Sequence, residues 1–369
     1  MIMLHSTFKF LRFKLLRKLN PSSRVYRLID YIFTFLLSFG ATKKLRNSYL
    51  KYLSGGISPK NVADLIINSN FRTKGRLRNT LTDKANLKLD LTIFDGLPKI
   101  LPQFDTASVV QELLKTGFSK LPVKLPIEFI DQLYSFALST KVKPTKYASD
   151  QSLQVSPNPD IDHIWDVPFE DLISSEYFQL LLQDQQLIKV AAVYLNSNPV
   201  VIGGRLYWSI KGKSKEFLTP ENWHVDAGDG LKFVKVFIAL TDVSMQSGPT
   251  GFIEGTCKTL PRKYFSGRRF HENEIEKDFS GRIINATGPV GTVYMVDTRG
   301  LHRGTPVESG VRLLAHFLYG IDFFGSPRPT TYSLPSSCCF GDKYTGNLKR
   351  SFLAYRSDSP TSTAEINGP

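Results

Sequence analysis

Trp223-His224-Val225-Asp226 sets an imidazole and a carboxylate two residues apart. A strand turns alternate side chains to opposite faces, so His224 and Asp226 share one face and Val225 points the other way. Two such groups hold a metal ion only if a third ligand arrives from a neighbouring strand. His302 is the candidate. It follows Tyr294-Met295-Val296-Asp297 and precedes the apolar run from Val311 to Tyr319, and both of these read as strands. Two imidazoles and one carboxylate form the facial set that holds non-haem Fe(II) and leaves the opposite face open. Arg312 lies ten residues past His302, enough for a turn and a return strand. Its planar guanidinium suits a carboxylate co-substrate bound at the open face. An H-x-D triplet alone is a weak signal. The chain has only 6 His, however, and two of them fall in this order with the carboxylate and the Arg.

The intervening sequence carries a resemblance. Val236-Phe237-Ile238-Ala239-Leu240-Thr241-Asp242, Ser247-Gly248-Pro249-Thr250-Gly251 and Phe252-Ile253-Glu254-Gly255-Thr256-Cys257-Lys258 come in turn. Gly288-Pro289-Val290-Gly291-Thr292 then leads through the Tyr294 strand to Leu301-His302-Arg303-Gly304. From about Thr106 to Phe324 the chain resembles the Fe(II)/2-oxoglutarate oxygenases of the phytanoyl-CoA dioxygenase type. Glu254-Gly255-Thr256-Cys257-Lys258 departs from that family's PGTHK-like signature, and Thr292 stands where an acidic residue is common. Leu114 to Ala137 is similar to the family's entry: a Gly-Phe pair, an apolar strand, a Pro and a short helix.

The resemblance implies a double-stranded β-helix, or jelly roll, of two antiparallel sheets with helices such as 126–138 and 176–196 outside. It implies Fe(II) on His224, Asp226 and His302, with 2-oxoglutarate and O2 as co-substrates and Arg312 on the distal carboxylate. Tyr207 and Phe237 match positions that line the co-substrate. A Lys that assists in some members would fall near 162–166, where His163 and Trp165 stand instead; Lys235, on the strand face of Phe237, is a substitute. The implied reaction is hydroxylation of a small organic substrate with release of succinate and CO2. A carboxylate at Asp226, where related halogenases have a small residue, favours hydroxylation or desaturation. Trp165, Arg299 and Arg303 are candidate substrate contacts, the two Arg suiting an anionic substrate. A non-catalytic jelly-roll binding protein and a membrane-peripheral protein led by its N-terminus are the rival readings.

Composition divides the chain. Of 47 Lys and Arg, 12 fall in residues 1–60 against one acid, Asp30, so the net charge of +14 belongs mostly to the N-terminus. The organisation expected is a basic, mostly helical extension over 1–101, an oxygenase domain over 102–325, and a C-terminal extension over 326–369 with a Ser/Thr/Pro-rich, disordered tail. Phe8 to Leu19 reads as an imperfect amphipathic helix. The apolar run from Tyr31 to Ala41 is too short to span a bilayer and reads as a buried helix. Ser58-Pro59 reads as a cap for a helix through Val62-Ile67, and 74–101 as a connector with strand character. The long polar stretch 258–287 reads as a lid beside the site.

A helical layer packed on the core is the favoured role for the extension. Contact with an anionic membrane and a targeting peptide are the alternatives. No nucleic-acid-binding signature accompanies the charge. Three Cys, Cys257, Cys338 and Cys339, make no disulfide framework, which fits a reducing cytoplasm.

Overall fold

The computed structural model describes residues 24–55, 62–85, 89–145, 160, 162–212, 222–226, 230–265 and 269–325, with 11, 14, 15, 156 and 157 besides. The expectations for most of 8–19, for Ser58-Pro59 and for the tail from 326 lie outside these residues.

Among the described elements, the first to be followed in full are the helices α1 (Arg24–Leu37), α2 (Ala41–Gly55), α3 (Val62–Thr73) and α4 (Arg76–Lys84). After a 3-10 turn at Thr92–Phe94 come α5 (Thr106–Thr116), β1 (Phe118–Lys124), α6 (Ile127–Ser139), β2 (Lys143–Pro144), β3 (Ile164–Asp166), α7 (Phe169–Leu172), α8 (Glu176–Leu182) and α9 (Gln185–Leu195). The rest is mostly strand: β4 (Val200–Ile210), β5 (Phe233–Ala239), β6 (Thr250–Ile253), β7 (Ile283–Ala286), β8 (Thr292–Val296), β9 (His302–Gly304) and β10 (Val311–Gly320), with α10 (Glu272–Phe279) before β7.

The strands form a seven-stranded sheet, β1-β8-β5-β10-β4-β3-β2, and a three-stranded sheet, β7-β6-β9, antiparallel throughout. The two face each other as a jelly roll. Phe237 and Tyr294 from the large sheet and Phe252 and Ala286 from the small one share one apolar cluster between them. Strand alternation sorts the large sheet cleanly. Val234, Val236 and Ile238 of β5, and Leu313, Ala315, Phe317 and Tyr319 of β10, join the helix-covered core. Their neighbours Lys235, Phe237 and Ala239, and Arg312, Leu314 and His316, turn to the inside by the same period of two.

The N-terminal helices pack on that outer core: Tyr49 and Tyr52 contact Phe324 with ring centroids 5.0 and 5.4 Å apart. Buried Arg78 donates to the Leu231 carbonyl at 2.7 Å and to that of Gly230, tying α4 to the lead-in of β5.

Four local expectations need correction. The 176–196 helix is broken into α8 and α9, because the Asp184 carboxylate caps α9 by accepting from Leu187 N at 2.9 Å. Among the described residues of 74–101 there is helix rather than strand. The Tyr31–Ala41 run is helical as far as Leu37, yet most of its large apolar side chains are exposed. In the 258–287 stretch, Leu260, Tyr264, Phe270, Ile275 and Phe279 pack with Trp223, Ile253 and Leu301 on the outer side of the small sheet, so their cluster backs the segment that carries His224.

Gly117 explains the Gly-Phe pair. It ends α5 at φ 84°, and a Cβ there would sit 2.6 Å from Cys257 Sγ. Only glycine takes that left-handed conformation freely and allows so close an approach.

Candidate metal centre

His224 and His302 are joined through their backbones. His224 N donates to His302 O and His302 N to His224 O, each at 2.9 Å. This reciprocal pair sets the imidazoles opposite one another, ring centroids 4.2 Å apart. Asp226 is held next to them by its own N–H to Thr298 O at 2.9 Å. Trp223 and Val225 point outward into the cluster behind the small sheet, as alternation requires. One ligand atom from each of His224, Asp226 and His302 lies within 4.8 Å of the others. His302 Nε2 is 3.3 Å from Asp226 Oδ2, and His224 Nε2 is 3.8 Å from Oδ1.

Both rings are oriented from behind. His224 Nδ1 is 2.8 Å from Asn222 O, and His302 Nδ1 is 3.1 Å from Gly300 O. A carbonyl only accepts, so each Nδ1 carries the proton and each Nε2 keeps its lone pair toward Asp226. Burial, reinforced by the neighbouring His302 imidazole, holds the His224 pKa well below its usual range, which favours the neutral ligand form. Burial alone would raise the Asp226 pKa. Lys235 and the two imidazoles outweigh it and hold the carboxyl well below the carboxylate range. Lys235 Nζ lies 2.7 Å from Asp226 Oδ2.

Arg312 points to the same interior from β10 and is buried. Its Nη2 donates to Ser209 Oγ on β4 at 2.9 Å, while Nε and Nη1 are buried with no hydrogen-bond partner among the described residues. A guanidinium left so would cost several kcal/mol, at roughly 1–3 kcal/mol for each unsatisfied buried polar group. A carboxylate set against one edge of the guanidinium, Nη1 with Nη2 or Nε with Nη2, would take up one of these groups and lower that cost. The donor set and the orphaned guanidinium therefore fit a divalent ion with a carboxylate-bearing co-substrate.

An aromatic path links the candidate ligands to this arginine's strand. Phe252 stacks on His302 at 6.3 Å, Tyr294 stacks on Phe237 at 5.4 Å, and Phe237 meets His316 at 5.2 Å. Tyr207 lies 5.8 Å from His316 and beneath the Arg205 guanidinium, with ring and cation 4.7 Å apart. Tyr207 and Phe237 are thus both on the inner face.

Three candidate substrate contacts lie elsewhere. Trp165 is on the opposite face of β3 from Asp166, buried in the helix-side core with its indole N–H on Asp162 O at 2.8 Å. Arg299 is buried against Asp297, with Nε 2.9 Å from Oδ1 and 3.0 Å from Oδ2. Arg303 lies over the Trp223 ring at 4.7 Å and pairs with Glu272. All three are corrected from substrate contacts to framework residues, because the strand phase or a carboxylate partner turns them from the interior.

Sequence reasoning passed over His316, Arg205 and Asp166. The signal was present: His316 is four residues after Arg312 and so on the same strand face. The register sets it opposite Arg205 and Phe237, and Arg205 forms a fork with Asp166 at 2.6 and 2.7 Å. Burial, reinforced by Arg205 and Lys235, keeps the His316 pKa well below its usual range.

No family model matches the chain, and no curated protein matches it. Solved structures do. AviO1 from Streptomyces viridochromogenes Tue57 is 15% identical, with a TM-score of 0.41 over 59% of this chain and 96% of that one. SnoN, a non-heme alpha ketoglutarate dependent epimerase from nogalamycin biosynthesis, is 16% identical, with a TM-score of 0.44 over 65% and 96%. HygX from Streptomyces hygroscopicus, solved with nickel, 2-oxoglutarate and hygromycin B, is 17% identical, with a TM-score of 0.43 over 64% and 95%.

Proposed function

We propose that this chain is a non-haem Fe(II), 2-oxoglutarate-dependent dioxygenase that hydroxylates a small organic substrate. The observation that carries the reading is one interior holding both His224–Asp226–His302 and a buried Arg312 whose Nε and Nη1 have no hydrogen-bond partner among the described residues. His224 Nε2, Asp226 and His302 Nε2 would hold the ion. Arg312 would bind the distal carboxylate of 2-oxoglutarate, with Ser209 fixing the guanidinium. Bound there with 2-oxoglutarate and O2, the iron supplies the oxidising power to attack an unactivated C–H bond, with succinate and CO2 released.

The chain's own residues do the rest. The Nδ1–carbonyl bonds keep both imidazoles in the ligand tautomer. Phe237, Tyr294 and Phe252 supply a dry wall that limits access of water. Asp226 fills a ligand position with an anion, which favours hydroxylation over halide transfer. Lys235 neutralises the side of Asp226 turned toward it.

The test is anaerobic addition of Fe(II) and 2-oxoglutarate to the purified protein, watched for a visible metal-to-ligand charge-transfer band. The band is expected in the wild type, lost in His302→Ala and weakened in Arg312→Ala. Folded protein without a band would sink the reading and favour a non-catalytic jelly-roll binding protein.

A further inference from the structure

The helix α1 is turned inside out. Asp30, Thr34 and Ser38, spaced four residues apart, are buried against the protein, with Asp30 only 1% exposed. Val25, Leu28, Ile32, Phe35, Leu36 and Phe39 recur at helical spacing on the outer side, where Leu28 is 60% and Phe39 53% exposed. A surface helix of a water-soluble face has the reverse arrangement. A contiguous apolar stripe of this kind marks a contact surface.

The surrounding charge identifies the occupant. Asp30 is the only acid in residues 1–60, and it is hidden. Arg24 at the head of the stripe, and Lys43, Lys44, Arg46 and Lys51 on the following helix, are exposed. The Arg72 guanidinium lies over the Phe39 ring at 4.7 Å. A cleft of about 290 Å³ opens beside the stripe, lined by Phe35, Ser38, Phe71, Arg72 and Arg262. An apolar stripe rimmed by cations matches the boundary between acyl chains and anionic headgroups. A second copy of this chain matches poorly, since stripe on stripe would set cation against cation.

We propose that α1 docks this protein, lying flat, on an anionic lipid surface. The helix lies on the bilayer and does not cross it. At 1.5 Å per residue α1 is about 21 Å long, against a hydrocarbon core of about 30 Å. Among the described residues no single helix is long and apolar enough to cross a membrane; α1 and α2 reach that length and composition only as a pair bent by 53°, and α2 carries the exposed Lys43, Lys44, Arg46 and Lys51. The stripe inserts while Arg72 and Arg262 meet lipid phosphates at the cleft. This surface is independent of the metal centre.

The experiment uses the full chain in cosedimentation with phosphatidylcholine–phosphatidylserine vesicles and with pure phosphatidylcholine vesicles. Binding about tenfold tighter to the anionic vesicles is expected, falling steeply as salt is added. Ile32→Glu with Phe35→Glu, and separately Lys43→Glu with Lys44→Glu, should each weaken it about tenfold, with circular dichroism melting near that of the wild type. The charge-reversal pair touches no apolar contact, so it keeps the test open if the first pair misfolds. Equal binding to both vesicles, or binding that survives both pairs, would overturn the proposal. So would a vesicle-free dimer that the Ile32/Phe35 pair dissolves, because the stripe would then belong to a second copy.

Discussion

Lys235 Nζ sits 2.7 Å from Asp226 Oδ2, so a side-chain ammonium contacts the same carboxylate that would bind the metal. Both groups are largely buried, and the pair holds a charge that would otherwise be costly in a low-dielectric interior. Lys235→Met should therefore destabilise the metal-free protein by about 3 kcal/mol, the low end for breaking a buried pair. A divalent ion can replace the lost cation, so Mn(II) should raise the melting temperature more in the variant than in the wild type. An equal shift in both would show that Lys235 does not share Asp226 with the ion.

Arg312 and Ser209 make a graded pair. Arg312→Lys keeps the charge but loses the planar fork, and should raise KM for 2-oxoglutarate about 10–100-fold, as for loss of one or two charged hydrogen bonds. Ser209→Ala removes only the bond that orients the guanidinium and should raise KM by less. Succinate release against 2-oxoglutarate concentration measures both. A Lys variant with unchanged KM would place the carboxylate elsewhere.

Acid stability should follow Asp297. Burial pushes its pKa up, but Arg299 and the Tyr194 hydroxyl, which donates at 2.5 Å, outweigh it and hold the group below the ordinary carboxylate value. A depressed folded-state pKa gives stability that is present above the unfolded value of about 3.9 and is lost as pH falls through the folded one. Asp297→Asn should lower the melting temperature at neutral pH, by leaving Arg299 buried without its anion, and flatten the acid limb below about pH 4. Melting curves from pH 3 to 7, on the order of the window set by these values, would expose an unchanged limb.

Cys257 should be inert. Burial, helped by the Asp297 carboxylate, pushes its thiol up to about 12, and the sulfur faces Gly117. At pH near 8 almost no thiolate is present. Peptide mapping after iodoacetamide treatment of native protein should find Cys257 unmodified, and rapid labelling would contradict this placement.

Much of the site was legible because a strand's period of two converts spacing directly into a face. His224 with Asp226, and the approach of His302 to them, follow from alternation plus antiparallel pairing. The same rule could have found His316. What could not be read were pairings between distant residues. Arg299 and Arg303 are defined by Asp297 and Glu272, and Trp165 by the phase of a three-residue strand. The orientation of α1 was equally hidden, since an apolar run does not say which side meets the core. Its polar stripe at Asp30, Thr34 and Ser38 held the clue.

The paired main-chain bonds between His224 and His302 have a consequence for how such a centre can change. The distance between the imidazoles is set by peptide groups, which every residue type carries. Side chains at the candidate ligand positions, or along the wall of Phe237 and Tyr294, can be exchanged without moving the backbone that carries them. New chemistry on this scaffold then calls for a change of occupant at one position rather than a redesign of the frame, and Asp226, anchored by its own N–H to Thr298, is the position where a single codon would alter the most.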